Sequence, residues 1–180
     1  KAEAMSARTP EPGPGPGDAA TVSVFVGVEP AVAFDVFTRE IDLWWRQGPR
    51  FRIAGKRRGQ LNFEPGIGGR LFETFEGGTG VHTVEVGRVT TWDPPFSLEL
   101  EWRGVNFKPD EKTFVAVRFE PKRDGTLVTV RHRGWSALPA EHPVRHGLVG
   151  VAFSRMMGMW WGDLMTSLRE HVQAISRPRD

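Results

Sequence analysis

The chain has 180 residues, 39% apolar and 26% charged, with 24 Lys plus Arg against 22 Asp plus Glu for a net charge of +2. That composition fits one soluble domain, excludes collagen-like, disordered and multidomain classes, and names no partner through charge. Cysteine is absent, which removes disulfides, thiolate nucleophiles and zinc-thiolate sites and suits a reducing cytoplasm.

Residues 1–20 alternate Pro10, Pro12, Pro14 and Pro16 with Gly13, Gly15 and Gly17. Pro lacks an amide donor and Gly carries the largest backbone freedom, so this stretch is expected to be a disordered tail ahead of a single domain over 21–176. It has no apolar core of a secretory leader, and Lys1–Ala4, ahead of Met5, read as an appended remnant. From Thr21, Val22, Val24, Val26 and Val28 alternate with Ser23, Phe25 and Gly27, the period of a strand. After Pro30, Val32, Phe34, Val36, Phe37, Ile41, Trp44 and Trp45 recur at steps of three and four, which predicts one or two short helices.

A succession of strands follows: Gln60 to Glu64, Arg70 to Phe75, Val81 to Trp92, Ser97 to Trp102, Thr113 to Glu120 and Thr126 to Trp135, each bounded by Gly, Pro or Asp. Asp124-Gly125 predicts a hairpin between the last two. Past Pro143, Val149, Phe153, Met156, Met157, Trp160, Trp161, Leu164, Met165, Leu168 and Val172 form a wide apolar arc, predicting a helix of about 28 residues and about 42 Å. No stretch reaches the roughly 18 uninterrupted apolar residues of a membrane span. The order predicts an α+β domain in which a curved, six- to seven-stranded antiparallel sheet surrounds a long C-terminal helix. Gly158 and Gly162 each cost about 1 kcal/mol inside a helix, which suggests a space between helix and sheet, although close packing is equally compatible with them.

The runs AFDVFTREIDLWW (33–45), GGRLFE (68–73), GRVTTWDPP (87–95), LELEW (98–102) and GTLVTVRHRGW (125–135), with Trp161, Met165 and Leu168 on the last helix, resemble the SRPBCC (START-like) superfamily. Within it they resemble the branch named for the activator of the heat-shock protein 90 ATPase, over roughly Ala20 to Ala174. The resemblance implies the helix-grip fold of START domains and the birch pollen allergen, with a cavity between sheet and C-terminal helix. It implies a ligand such as a lipid, polyketide, hormone or antibiotic, in a bacterial, cytoplasmic protein. The branch commonly has Trp-Tyr-Glu after Gly-Gly-Arg where this chain has Leu71-Phe72-Glu73.

The expected function is therefore a domain holding a hydrophobic small molecule, without catalysis. The alternatives are a polyketide cyclase or hydratase and a regulator of a chaperone ATPase. His132 follows Val128 and Val130 at period two and is expected to face inward, as a ligand donor or general base or as a hydrogen-bonded wall residue. Arg70 is expected inward with Phe72, as a clamp for a ligand carboxylate or carbonyl, or else solvated at a turn. Trp45, Phe51, Trp92, Trp102, Phe153, Met157, Trp160 and Trp161 are the further candidates for lining a pocket, about a third of them in contact with a ligand.

His142 and His146 have the spacing of metal ligands, but Pro143 lies between them and no third ligand is near, so no metal site and no cofactor are expected. Arg46, Arg50, Arg52, Lys56, Arg57 and Arg58 read as a mobile, solvated loop beside the cavity mouth, not as a nucleic-acid surface. No nucleophile elbow, phosphate-binding glycine loop or zinc-protease motif is present. Either a monomer or a homodimer fits.

Overall fold

A computed structural model of the chain describes residues 15–178. Strand β1 (Ala20–Val26) leads into helices α1 (Pro30–Arg39) and α2 (Ile41–Trp44), then strands β2 (Gly59–Phe63), β3 (Arg70–Gly77), β4 (Gly80–Asp93), β5 (Ser97–Trp102), β6 (Thr113–Lys122) and β7 (Gly125–Arg133), and finally helix α3 (Gly150–Ile175). All seven strands join one antiparallel sheet in the order β1-β7-β6-β5-β4-β3-β2, so the α+β helix-grip architecture is present. Pairing slips between Leu71 and Phe72 and between Val89 and Thr91, and extra residues of this kind bend a strand and sharpen its twist.

The sheet's inner face carries Val24, Val26, Leu71, Leu98, Leu100, Val115, Val117, Phe119, Val128 and Val130, all buried. Against it α3 turns a stripe of Phe153, Met157, Trp161, Leu164, Met165, Leu168 and Val172, at steps of three and four. The middle of α3 therefore lies on a filled core. The space expected along the helix is closed there: Phe153, Leu164, Met165 and Leu168 are each at most 1% exposed. Gly158 and Gly162 do not serve close packing either, since a Cβ at either would meet no atom within 4 Å.

Helix α1 plugs one end of the sheet with Phe34 and Phe37, whose rings lie 5.1 and 5.7 Å from Phe119. Trp44 closes α2 over them, and its indole N–H donates to the carbonyls of Val36 and Phe37. The β6–β7 hairpin turns on Arg123 and Asp124, with Lys122 facing Gly125, one residue earlier than Asp124-Gly125 predicts. A Cβ at Gly125 would sit 2.1 Å from the Val26 carbonyl oxygen, so that glycine lets β7 start tight against β1.

Residues 1–14 of the expected tail lie outside the described residues. Asp18 within its last part is held: it accepts from the backbone N–H groups of Gly134 and Ser136 and from the Ser136 hydroxyl. Burial raises the Asp18 pKa, but those hydrogen bonds outweigh it and hold the carboxyl below the usual carboxylate range.

Candidate functional site

Between α2 and β2 the chain runs over 45–58 as a loop whose backbone is held from four sides. The Trp45 indole N–H donates to the Phe51 carbonyl at 2.9 Å, and the Trp160 indole on α3 donates to the Arg50 carbonyl at 2.7 Å. Both carboxylate oxygens of Glu73 accept, from the Ile53 and Ala54 N–H groups at 2.9 Å each. Arg52 turns inward, donating to the Asp42 carboxylate at 2.6 Å and to the carbonyls of Asp42, Trp45 and Arg46. Asp42 also accepts from the Leu61 N–H, which ties the loop to β2.

Lys56, Arg57 and Arg58 are exposed, as the expectation of a solvated basic loop has it, but Arg52 corrects that expectation. The Arg52 side chain is 1% exposed and makes charge-assisted bonds to a fixed set of acceptors. Arg46 donates to the Asp163 carbonyl, and Arg50 stands 3.8 Å from the Asp163 carboxylate.

Under this loop is a cavity of about 230 Å³. Its walls are the aromatic rings of Trp45, Phe51, Trp102 and Trp160, with Leu61, Leu71, Val86, Ile53 and Val144 around them and Glu73 among them. Trp45 stacks on Trp102 with centroids 6.2 Å apart, Trp160 meets both edge-on, and Phe51 stacks on Trp160 at 5.7 Å. The volume falls between the roughly 150 Å³ of a dry engineered cavity that takes up benzene and the roughly 300 Å³ at which drug-sized sites begin. A guest of one ring fits this range.

Gly104, Val105 and Asn106 close another side, and the segment that carries them is fastened to Val144's. The His142 Nδ1 accepts from the Val144 N–H, so its Nε2 donates to Glu111 at 3.1 Å. The Lys108 N–H and His142 together outweigh burial and hold the Glu111 carboxyl below the usual range. His142 thus caps a short turn. Among the described residues no group of three His, Asp or Glu side chains gathers as a metal site.

His132 faces inward as expected and is 0% exposed. The Trp161 indole donates to its Nδ1 at 3.1 Å, which leaves the proton on Nε2, and that nitrogen meets the Thr113 hydroxyl at 2.7 Å. The hydroxyl in turn donates to the Trp102 carbonyl. Burial lowers the His132 pKa to about 3, so the ring is neutral near pH 7. Both ring nitrogens are engaged with protein groups, and the ring, 4.4 Å from Trp135 and 5.8 Å from Trp102, stands behind the cavity wall and does not line it.

The remaining candidates separate into four places. Trp45, Phe51, Trp102 and Trp160 meet at the cavity. Phe153, Met157 and Trp161 lie in the closed core behind it, and Trp92 packs with Phe34 and Phe63 near α1. Arg70 and Phe72 are on the opposite face of β3 from the cavity, which corrects the inward orientation expected of them. Arg70 bonds Glu64 and lies 4.5 Å over the Phe72 ring, while Leu71 and Glu73 take the inner face.

Sequence reasoning left Glu73 without a role and placed Arg52 among solvated charges. The available signal for Glu73 was Leu71, whose apolar side chain marks the buried parity of the strand and carries Glu73 with it. Asp42 as the partner of Arg52, and the contribution of Gly104–Asn106 and Val144, follow from contacts between distant loops.

A family profile described as activator of Hsp90 ATPase homolog 1-like protein matches residues 28–172. No curated protein matches the chain. Among solved structures, a Mesorhizobium loti protein superposes with a TM-score of 0.60 at 16% identity, covering 89% of this chain and 99% of that one. An HSP90 activator from Plasmodium falciparum superposes at 0.57 and 16% identity, covering 87% and 96%. The Aha1 dimer from Colwellia psychrerythraea superposes at 0.58 and 13% identity, covering 88% and 98%. At these identities the likeness concerns the fold, and the match over 28–172 shows that the chain belongs to the family of activator of Hsp90 ATPase homolog 1-like proteins.

Proposed function

We propose that this domain binds a small hydrophobic molecule in the cavity beneath the 45–58 loop, at one end of the sheet and not along the length of α3. The observation that carries the reading is the wall of Trp45, Phe51, Trp102 and Trp160 around about 230 Å³ of space. Aromatic rings offer large contact area at little rotamer cost, and here two of the three wall indoles, Trp45 and Trp160, are fixed through their N–H groups. Two anchored indoles, with Trp102 stacked on one and Phe51 on the other, around an open volume form a preorganised site. The absence of cysteine supports a cytoplasmic setting. Among the described residues no helix is long and apolar enough to cross a membrane.

The test is titration of the protein with single-ring aromatic compounds, read by tryptophan fluorescence and calorimetry. Saturable binding with a Kd between about 10 µM and 1 mM is expected for a guest of this size. Val144→Trp, which fills the cavity from its rim, should abolish binding while leaving the thermal midpoint near that of the parent. Equal binding by the filled variant sinks the reading.

A second reading is supported by a surface. Leu148, Val149, Val151 and Met159 are exposed around the first half of α3, and Val151 and Met159, eight residues apart, share one helix face. A chaperone contact or a second copy of the chain would cover such a face, in keeping with the relatives described as an HSP90 activator and a dimer. Stimulation of heat-shock protein 90 ATPase activity that is lost in Val151→Glu, with the cavity compounds still binding, would favour this reading.

A further inference from the structure

We infer that the cavity selects small organic cations: a protonated amine carried on one apolar ring or a compact alkyl body. This rests on the cavity being a binding site, and it adds the chemical class of the guest.

The argument starts from the charges in the wall. Arg52 is matched by Asp42 and by three carbonyls, which occupy four of its five N–H donors. Arg50 sits at the rim with its side chain 67% exposed, next to Asp163. Glu73 is 2% exposed, and none of the ion pairs among the described residues includes it. Its two oxygens accept one backbone N–H each, whereas a carboxylate offers about four acceptor positions. Of the three charged lining residues, the buried carboxylate is the one left without a counter-ion.

The surroundings of Glu73 suit a cation by a second, independent physical effect. Trp45, Trp102, Trp160 and Phe51 border the same space, and a cation over an indole face is attracted by the ring quadrupole, which is negative on the face and positive at the edge. An ammonium group thus meets a charge-assisted acceptor at one side and aromatic rings at the others. A carboxylate guest would face Glu73 in a site largely out of water, where like charges repel strongly. A neutral alcohol could use the Glu73 acceptor but would gain less from the rings.

The experiment compares benzylammonium, benzyl alcohol and benzoate with the parent protein at pH 7, by calorimetry and tryptophan fluorescence. Benzylammonium is expected to bind about tenfold or more tightly than benzyl alcohol, and benzoate to show no saturable binding. Glu73→Gln, which retains a carbonyl acceptor for one loop amide, should lose about tenfold for benzylammonium while benzyl alcohol binding is unchanged. Should that variant fail to fold, Trp160→Leu serves in its place and should narrow the preference for the cation. Benzyl alcohol binding as tightly as benzylammonium to the parent protein would overturn the cation assignment and leave the cavity reading standing. Failure of all three compounds to bind would overturn both.

Discussion

The indole of Trp161 donates its N–H to Nδ1 of His132, 3.1 Å away inside the core, and so fastens helix α3 to strand β7. The bond forces His132 into the tautomer that meets Thr113 on β6, so one chain of hydrogen bonds links three elements. An imidazole in this position is a structural member and has no nitrogen left to serve as a general base.

The first prediction follows from its lowered pKa. The unfolded imidazole titrates near 6.5 and the folded one near 3, so between these values the unfolded chain takes up a proton that the folded one refuses. Stability from this source is fully present above about pH 6.5 and falls as the pH drops, by up to about 1.4 kcal/mol per pH unit. Urea unfolding at pH 7, 6 and 5 should show this slope in the parent. His132→Leu should be less stable at pH 7, with Trp161 and Thr113 left unpaired, and visibly flatter over the same range.

The half-buried ion pair of the loop gives the second. Asp42→Ala leaves the Arg52 guanidinium without its carboxylate and the Leu61 N–H without its acceptor. Breaking one side of a fully buried pair costs about 3 kcal/mol or more, and with Asp42 33% exposed the loss here should be about 2 kcal/mol. Chemical denaturation should report that loss, and hydrogen exchange should show the amides of Ile53, Ala54 and Leu61 losing protection first.

Gly158 and Gly162 give the third, with the opposite sign. Because a Cβ at either position enters open space, replacement by Ala should raise helix propensity without a clash. Each Gly→Ala change should stabilise by about 0.5 to 1 kcal/mol, seen as a thermal midpoint raised by roughly 1 to 4 °C. A fall in the midpoint would show that the glycines serve a contact this chain makes with something else.

Asp18 supplies the fourth. Asp18→Asn should destabilise the fold at pH 7 by about 1 kcal/mol through weakened bonds to Gly134 and Ser136. Since the folded carboxyl titrates below 3.8, its contribution is present above that value and vanishes as the pH falls through the folded pKa. Parent and variant unfolding curves should therefore converge only as the pH falls well below 3.8.

Much of the architecture is legible in the chain because the alternation of Leu98, Leu100 and Trp102, or of Val128, Val130 and His132, leaves one assignment of faces. The same rule failed at Arg70. The pattern there contains apolar side chains of both parities, Leu71 and Phe72, and the strand buries the one whose neighbour Glu73 finds loop amides to satisfy it. The aromatic candidates were legible as a set but not as places. Whether a tryptophan lines a space or fills it depends on what comes from the other side. For Trp102 and Trp160 that is a loop whose path is fixed by Arg52, Asp42 and Glu73.

Trp45, Trp102, Trp160 and Trp161 form a closed quartet: all six pairwise centroid separations lie between 5.1 and 6.3 Å. Chromophores this near one another share their excited states, and a chiral arrangement of them produces paired circular dichroism bands of opposite sign. Three of the four border the cavity and Trp161 backs it, so a guest that tilts one ring alters the exciton couplet of the whole group. The molecule thereby carries its own unlabelled optical gauge of occupancy.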